Sequence, residues 1–243
     1  STSCLFFDLK ILTELVMIVF CSTFSVYNLI SLKSVNNMID EKKAWILNNY
    51  NFIKMSTLIT IIFSIFLIIK LNLFMFFSPV IFLSLLYNYP KIKLFNFEKT
   101  QFFHLKKNLR EIPFLKIFII VFCWTYLTYL FPIFYNDLNF DINVIIHLII
   151  RVLFLFSIAI NFDIRDKESD LIVTIPTFLG QKKSKILSCS FLLICEFLAL
   201  YLFIFHSLNF LYFLALYLTF EIGLILTYFI NKNRKELYFS FYI

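Results

Sequence analysis

The stretch INVIIHLIIRVLFLFSIAINFDIRDKESD, residues 142–170, decides how the chain is read. Ile142 to Phe162 is almost wholly apolar, and at ~1.5 Å per residue it is long enough as a helix to cross a hydrocarbon core of ~30 Å. The run then passes abruptly into charge. Asp163, Asp166 and Asp170 follow three and four residues apart. On a helix, steps of about 100° per residue place all three on one face, within roughly 60° of each other. A fan of hard oxygen ligands at a membrane surface suits Mg²⁺, which takes few protein carboxylates and leaves its other positions to water and phosphate. The magnesium would in turn hold a diphosphate that carboxylates alone would repel.

The rest of the chain supports a lipid solvent. Of 243 residues, 61% are hydrophobic and 21% aromatic, with only two glycines. A soluble domain of this length is roughly half apolar, so the excess points outward rather than to a larger core. Working outward from residues 142–162, six further apolar runs appear: Ile11–Leu32, Met55–Ile69, Leu73–Tyr89, Pro113–Phe131, Ser184–Phe205 and Leu208–Ile230. The expected fold is an all-α, polytopic membrane helical bundle forming a single transmembrane domain over residues 1–243. Lys70–Asn72 reads as a tight turn between two spans, Pro79 as a kink in the second of them, and Pro113 as a helix start. The cysteines lack zinc spacing and read as small hydrophobes.

Charge placement tests this arrangement. The net charge is +7, which in a soluble protein would suggest nucleic acid. Here every Lys and Arg except Lys10, Lys70, Lys116 and Arg151 falls in residues 33–54, 90–112, 165–185 or 232–235. These are alternate connections, so they share one side of the membrane, whereas residues 132–141 carry Asp137 and Asp141 and no basic residue. The pattern fits an anionic lipid leaflet better than a nucleic-acid surface, with the aspartate stretch facing the cytoplasm. Arg151, Glu196 and Glu221 lie at matching depth inside apolar runs, ~15–18 Å from that side at 1.5 Å per residue. Charge is costly there, so Arg151 is expected to pair with one of the glutamates or to line a substrate cavity.

The aspartates also carry a resemblance. NFDIRDKESD, followed by Thr174, Pro176 and Gly180 in TIPTFLG, resembles the second aspartate-rich motif of the UbiA superfamily of intramembrane prenyltransferases. In that motif an Asp-x-x-Asp-x-x-x-Asp run precedes Thr-x-Pro and a Gly that opens the next helix. LYNYPKIKL at 86–94 and LREIPFLKIFIIVFCW at 109–124 look like that family's link between its fourth and fifth helices. The resemblance implies a nine-helix fold in which the seven runs are the second to eighth helices, with one missing at each end. It implies a bacterial inner-membrane enzyme with a laterally open cavity. Asp163, Asp166 and Asp170 would be catalytic, gripping Mg²⁺ and a prenyl diphosphate. Ionisation would leave an allylic cation for capture by an aromatic or other lipid-soluble acceptor. Lys116 matches a family lysine and is placed either to reach the diphosphate or, equally well, to snorkel to the surface; Arg165, Asn28 and Arg151 complete the expected substrate-binding set.

One departure sets the alternative. The family's first aspartate motif should fall at the end of the first run, where this chain reads VYNLISLKSVNN; Asn28 aligns with its leading Asn, and no carboxylate follows until Asp40. The rival is therefore a catalytically degenerate member that binds isoprenoid or lipid or serves as an assembly subunit. Taken without the resemblance, DIRDKESD also suits a solvated helix end whose charges pair among themselves.

Overall fold

The computed structural model describes residues 7, 13–34, 40–88, 114–166, 173–206 and 208–230. Every regular element among them is helical: α1 Thr13–Ser34, α2 Asp40–Asn48, α3 Tyr50–Lys70, α4 Phe74–Asn88, α5 Leu115–Thr125, a π-helical turn Tyr126–Leu130, α6 Phe131–Tyr135, α7 Ile142–Arg165, α8 Ile175–Leu179, α9 Gln181–Phe205 and α10 Phe210–Phe229. Five segments are long and apolar enough to cross a membrane: α3, the continuous Leu115–Tyr135 stretch, α7, α9 and α10; Thr13–Leu29 and Phe74–Ser84 are shorter apolar helices. Within those five, no more than 39% of the most apolar window is buried against protein. Phe20, Ile62, Phe197 and Tyr228 are all more than 60% exposed. Such faces would aggregate in water, so their solvent is lipid and the chain is an integral membrane protein. Helix is forced for the same reason, because a backbone in hydrocarbon must satisfy its own N–H and C=O groups.

The chain divides into two compact units, one of Ser1–Phe7 with Phe82–Ile243 and one of Asp8–Ile81. In the smaller unit α1 and α3 pack together, and Ser25 Oγ and Thr60 Oγ1 hydrogen-bond across the contact at 2.8 Å. The expected Lys70–Asn72 turn closes α3. Asn72 takes a left-handed conformation (φ 54°), and the N–H groups of Asn72 and Leu73 donate to Ile69 and Ile68 carbonyls. This double bond is the usual way a left-handed residue satisfies the last carbonyls of a helix.

In the larger unit α7 is the central helix, packed against α5 and α9, while α9 also packs on α10. Ile117 and Val121 of α5 bury against Ala159, Ile160 and Ile164 of α7. Cys195 and Ala199 of α9, both fully buried, sit among Ile146, Ile150 and Phe220. Gly223 lets α10 approach α9: a Cβ there would stand 3.2 Å from Leu192 Cδ1. A polar seam crosses this apolar interior. Ser157 and Ser188 hydroxyls lie 2.7 Å apart, Ser188 donates to Asn161 Oδ1 at 3.1 Å, and Asn161 Nδ2 donates to Thr227 Oγ1 at 2.8 Å.

The sequence reading closes the fourth span at Phe131, but the helix continues to Tyr135. Pro132 has no N–H and its ring crowds the carbonyl four residues back. The π-helical turn Tyr126–Leu130 widens the backbone just ahead of it and absorbs the misfit. Tyr129 then donates its hydroxyl to the Val144 carbonyl at 2.7 Å, pinning the widened turn to α7. Asp137 and Asp141 are structural: Asp137 is left-handed (φ 49°) after α6, and Asp141 caps α7 by accepting from Val144 N.

If the seam fixes helix register, Asn161→Leu should lower stability by about 1 kcal/mol, the scale of interhelical hydrogen bonds in membranes. Adding Thr227→Val should then cost little more, because the Asn161 amide is the interhelical partner of that hydroxyl. Unfolding in mixed micelles titrated with denaturing detergent reads both.

Candidate functional site

The site grows from the last two turns of α7. Asp163 is 3% exposed and is held by Lys116, whose Nζ donates to Oδ1 at 2.9 Å; the lysine side chain is 17% exposed. Lys116 comes from the first turn of α5, far away in sequence. Its position is set by the start of that helix. Phe114 adopts a left-handed conformation (φ 63°), its N–H donates to the Val173 carbonyl at 3.4 Å, and its ring meets Phe178 edge-on. A bulky residue in that region is a strained one. The strain ties the entry of α5 to the segment that follows the aspartates.

One turn beyond Asp163, Asp166 caps the C-terminal end of α7 and its N–H donates to the Phe162 carbonyl. Its carboxylate takes two hydrogen bonds from its neighbour Arg165, Nε at 2.6 Å and Nη2 at 3.0 Å. The guanidinium also lies 5.0 Å from the Phe162 ring centroid, in reach of a cation–π contact. Both side chains of this pair are about one-third exposed, at 32% and 33%. Solvent screening leaves such a pair weak and easily opened. The self-paired helix end is thus real for Arg165 and Asp166, while Asp163 pairs with a different helix.

The TIPTFLG segment forms the corner that returns the chain to the bundle. Thr177 Oγ1 accepts from the Thr174 N–H at 2.7 Å and donates to the Thr174 carbonyl at 2.8 Å; Pro176 sits in the first turn of α8. Gly180, at φ 82° and ψ 159°, joins α8 to α9. That conformation is open to glycine almost alone, which accounts for the glycine expected to open the next helix.

Asn28 sits on α1 in the smaller unit, partly exposed. Asp170 lies outside the described residues. Arg151 does not pair with Glu196 or Glu221 as expected. Its Nε donates to Thr128 Oγ1 at the π-helical turn (3.3 Å), Glu221 accepts from Tyr217 one turn earlier on its own helix (2.7 Å), and Glu196 Oε1 is buried with no hydrogen-bond partner. Equal depth did not mean equal direction. The sequence reading treated Lys116 as a phosphate contact or a snorkelling group and did not foresee its pairing with Asp163. The available signal was a lysine in the first turn of its helix at the level of a carboxylate two residues from the end of a neighbour.

As donors for Mg²⁺, the carboxylates of Asp163 and Asp166 fit in kind, being hard oxygens on adjacent turns. Among the described residues no group of three or more His, Cys, Asp or Glu comes together. In comparison with known proteins, no family model, no curated protein and no solved structure matches this chain.

Two outcomes follow from this geometry. Lys116→Met should destabilise the protein by up to roughly 3 kcal/mol, because it takes a cation away from a buried carboxylate, and adding Asp163→Leu should recover part of the loss. A double-mutant cycle in mixed micelles measures this. Gly180→Ala should cost about 1–3 kcal/mol through backbone strain alone, seen as a lowered thermal midpoint with an unchanged helical circular-dichroism signal.

Proposed function

We propose that the chain is a UbiA-like intramembrane protein that binds a prenyl diphosphate at the cytoplasmic end of α7 and transfers the prenyl group to an aromatic or other lipid-soluble acceptor. In this reading the seven apolar helices correspond to seven spans of the UbiA bundle, and the basic connections face the cytoplasm of a bacterial cell. The observation that carries it is the meeting of Lys116 with Asp163 across 47 residues of sequence, with Arg165 and Asp166 one turn further on. Two carboxylates and two cations, all singled out from the sequence, thus come from two helices to one end of the bundle.

Each residue has a role in that reading. Asp163 and Asp166, with Asp170, would hold Mg²⁺; when bound, the metal neutralises the diphosphate and stabilises its departure. Lys116 and Arg165 supply an ammonium and a planar fork suited to phosphate oxygens. The apolar helices solvate the prenyl tail. A second reading, the catalytically degenerate isoprenoid- or lipid-binding protein, is favoured by one feature: both described aspartates are already balanced by cations of the chain itself. The lack of carboxylates in VYNLISLKSVNN points the same way.

Titration calorimetry of the purified protein with a non-hydrolysable prenyl diphosphate, with and without Mg²⁺, separates these readings. The transferase reading expects Mg²⁺-dependent binding that Asp166→Ala or Asp170→Ala abolishes. Affinity unchanged in both variants rejects the metal role, and binding that ignores Mg²⁺ selects the degenerate protein.

A further inference from the structure

We infer that the lipid-facing side of α9 is a site for an anionic phospholipid: Lys182 and Lys183 take the headgroup phosphate, and the exposed apolar stripe below them takes an acyl chain. The inference is independent of the transferase reading and needs only that the chain spans a membrane.

The residues of α9 sort by face. Ile186, Leu193, Phe197 and Ile204 are all between 45% and 71% exposed, whereas Ser188, Leu192, Cys195 and Ala199 are buried. Steps of seven, four and seven residues keep the exposed set on one side of the helix. Lys182 stands four residues before Ile186, so it crowns that stripe. Lys183 is beside it, and both side chains are exposed.

Depth puts the two lysines in the headgroup layer. From Ile186 to Phe205 the helix rises about 30 Å at ~1.5 Å per residue, the thickness of a hydrocarbon core. Lys182 and Lys183 therefore lie just beyond its edge, at the level of lipid phosphates.

The fold makes no use of either lysine. Neither has a hydrogen bond or ion pair with any described residue. Lys185 differs, because its Nζ donates to the Tyr228 carbonyl at 3.0 Å and closes the end of α10. Helix electrostatics give no reason for lysines here either. The start of a helix is its positive pole, where cations are disfavoured, and α9 has no acidic residue in its first turn. Two exposed cations held against that field, directly above an apolar track, complement a molecule with an anionic head and a hydrocarbon tail. A soluble anion would leave the stripe uncovered, and a neutral lipid would leave the lysines unbalanced.

The test is fluorescence quenching of the full chain in phosphatidylcholine vesicles. Trp45→Phe and Trp124→Phe remove the two native tryptophans, and Phe197→Trp places one reporter on the stripe, where exposure leaves room for the larger ring. Phosphatidylglycerol brominated at mid-chain is titrated in, with brominated phosphatidylcholine as reference. Each basic residue near an anionic lipid is worth about fivefold, so the reporter should prefer phosphatidylglycerol by roughly 20-fold. Lys182→Gln or Lys183→Gln should each cut that preference about fivefold, and the two together should bring the lipids to near equality.

No preference in the protein with both lysines overturns the inference, as does a preference that survives the double variant. Lys42→Gln with Lys43→Gln, in the other unit, should leave the reading unchanged; an equal fall there shows that overall charge acts and overturns the site. Millimolar inorganic phosphate at constant ionic strength should not alter the preference. If it abolishes it, the lysines serve a free anion and the lipid site is rejected. Should the double variant fail to fold, the single variants decide: a fivefold drop in each supports the site, and an unchanged preference in both rejects it.

Discussion

Hydrocarbon offers no water, and the fold of the larger unit follows from how α7 meets that constraint. This helix carries Ser157, Asn161 and Asp163 into an interior lined by Ile117, Val121, Ile160 and Ile164. Each polar group takes a partner from a different helix: Ser188 of α9, Thr227 of α10 and Lys116 of α5. Apolar packing alone would hold the helices together only loosely in register, since one lipid-like face slides over another at little cost. Three helices pinned to one by directional bonds cannot rotate independently. The carboxylate of Asp163 is the most demanding of these groups, and its partner fixes where α5 must begin.

The architecture was largely legible because it depends on one-dimensional quantities. Length, hydropathy and the alternation of basic connections can all be counted along a chain, and each of the seven apolar runs coincides with a helix. Met55 proved too late a start for α3, which begins at Tyr50, because residues 50–54 are polar enough to read as loop yet have nothing that stops a helix. The short α2, Asp40–Asn48, was read as a polar connection, since it has no apolar stripe for periodicity to find. The fourth apolar run closes at Phe131 in the sequence reading, with Pro132 opening the next connection. A proline ends a helix only if the preceding turn cannot widen, and whether it can is settled by packing, here the Tyr129 bond to α7.

The site was legible in part, and the division has the same cause. Depth along a helix axis follows from counting, so the level of Arg151, Glu196 and Glu221 could be stated. Direction around the axis is set by neighbours, and a pairing argued from depth alone fails when the azimuths disagree. Glu221 is served by Tyr217, four residues earlier on its own helix, and Arg151 faces the π-helical turn. The Asp163 pairing was missed for the converse reason. Lys116 and Asp163 lie on helices that meet through Ile117, Val121 and Ile160, with Phe114 holding a left-handed turn against Val173 at the entry of α5, and nothing in the sequence marks that phenylalanine.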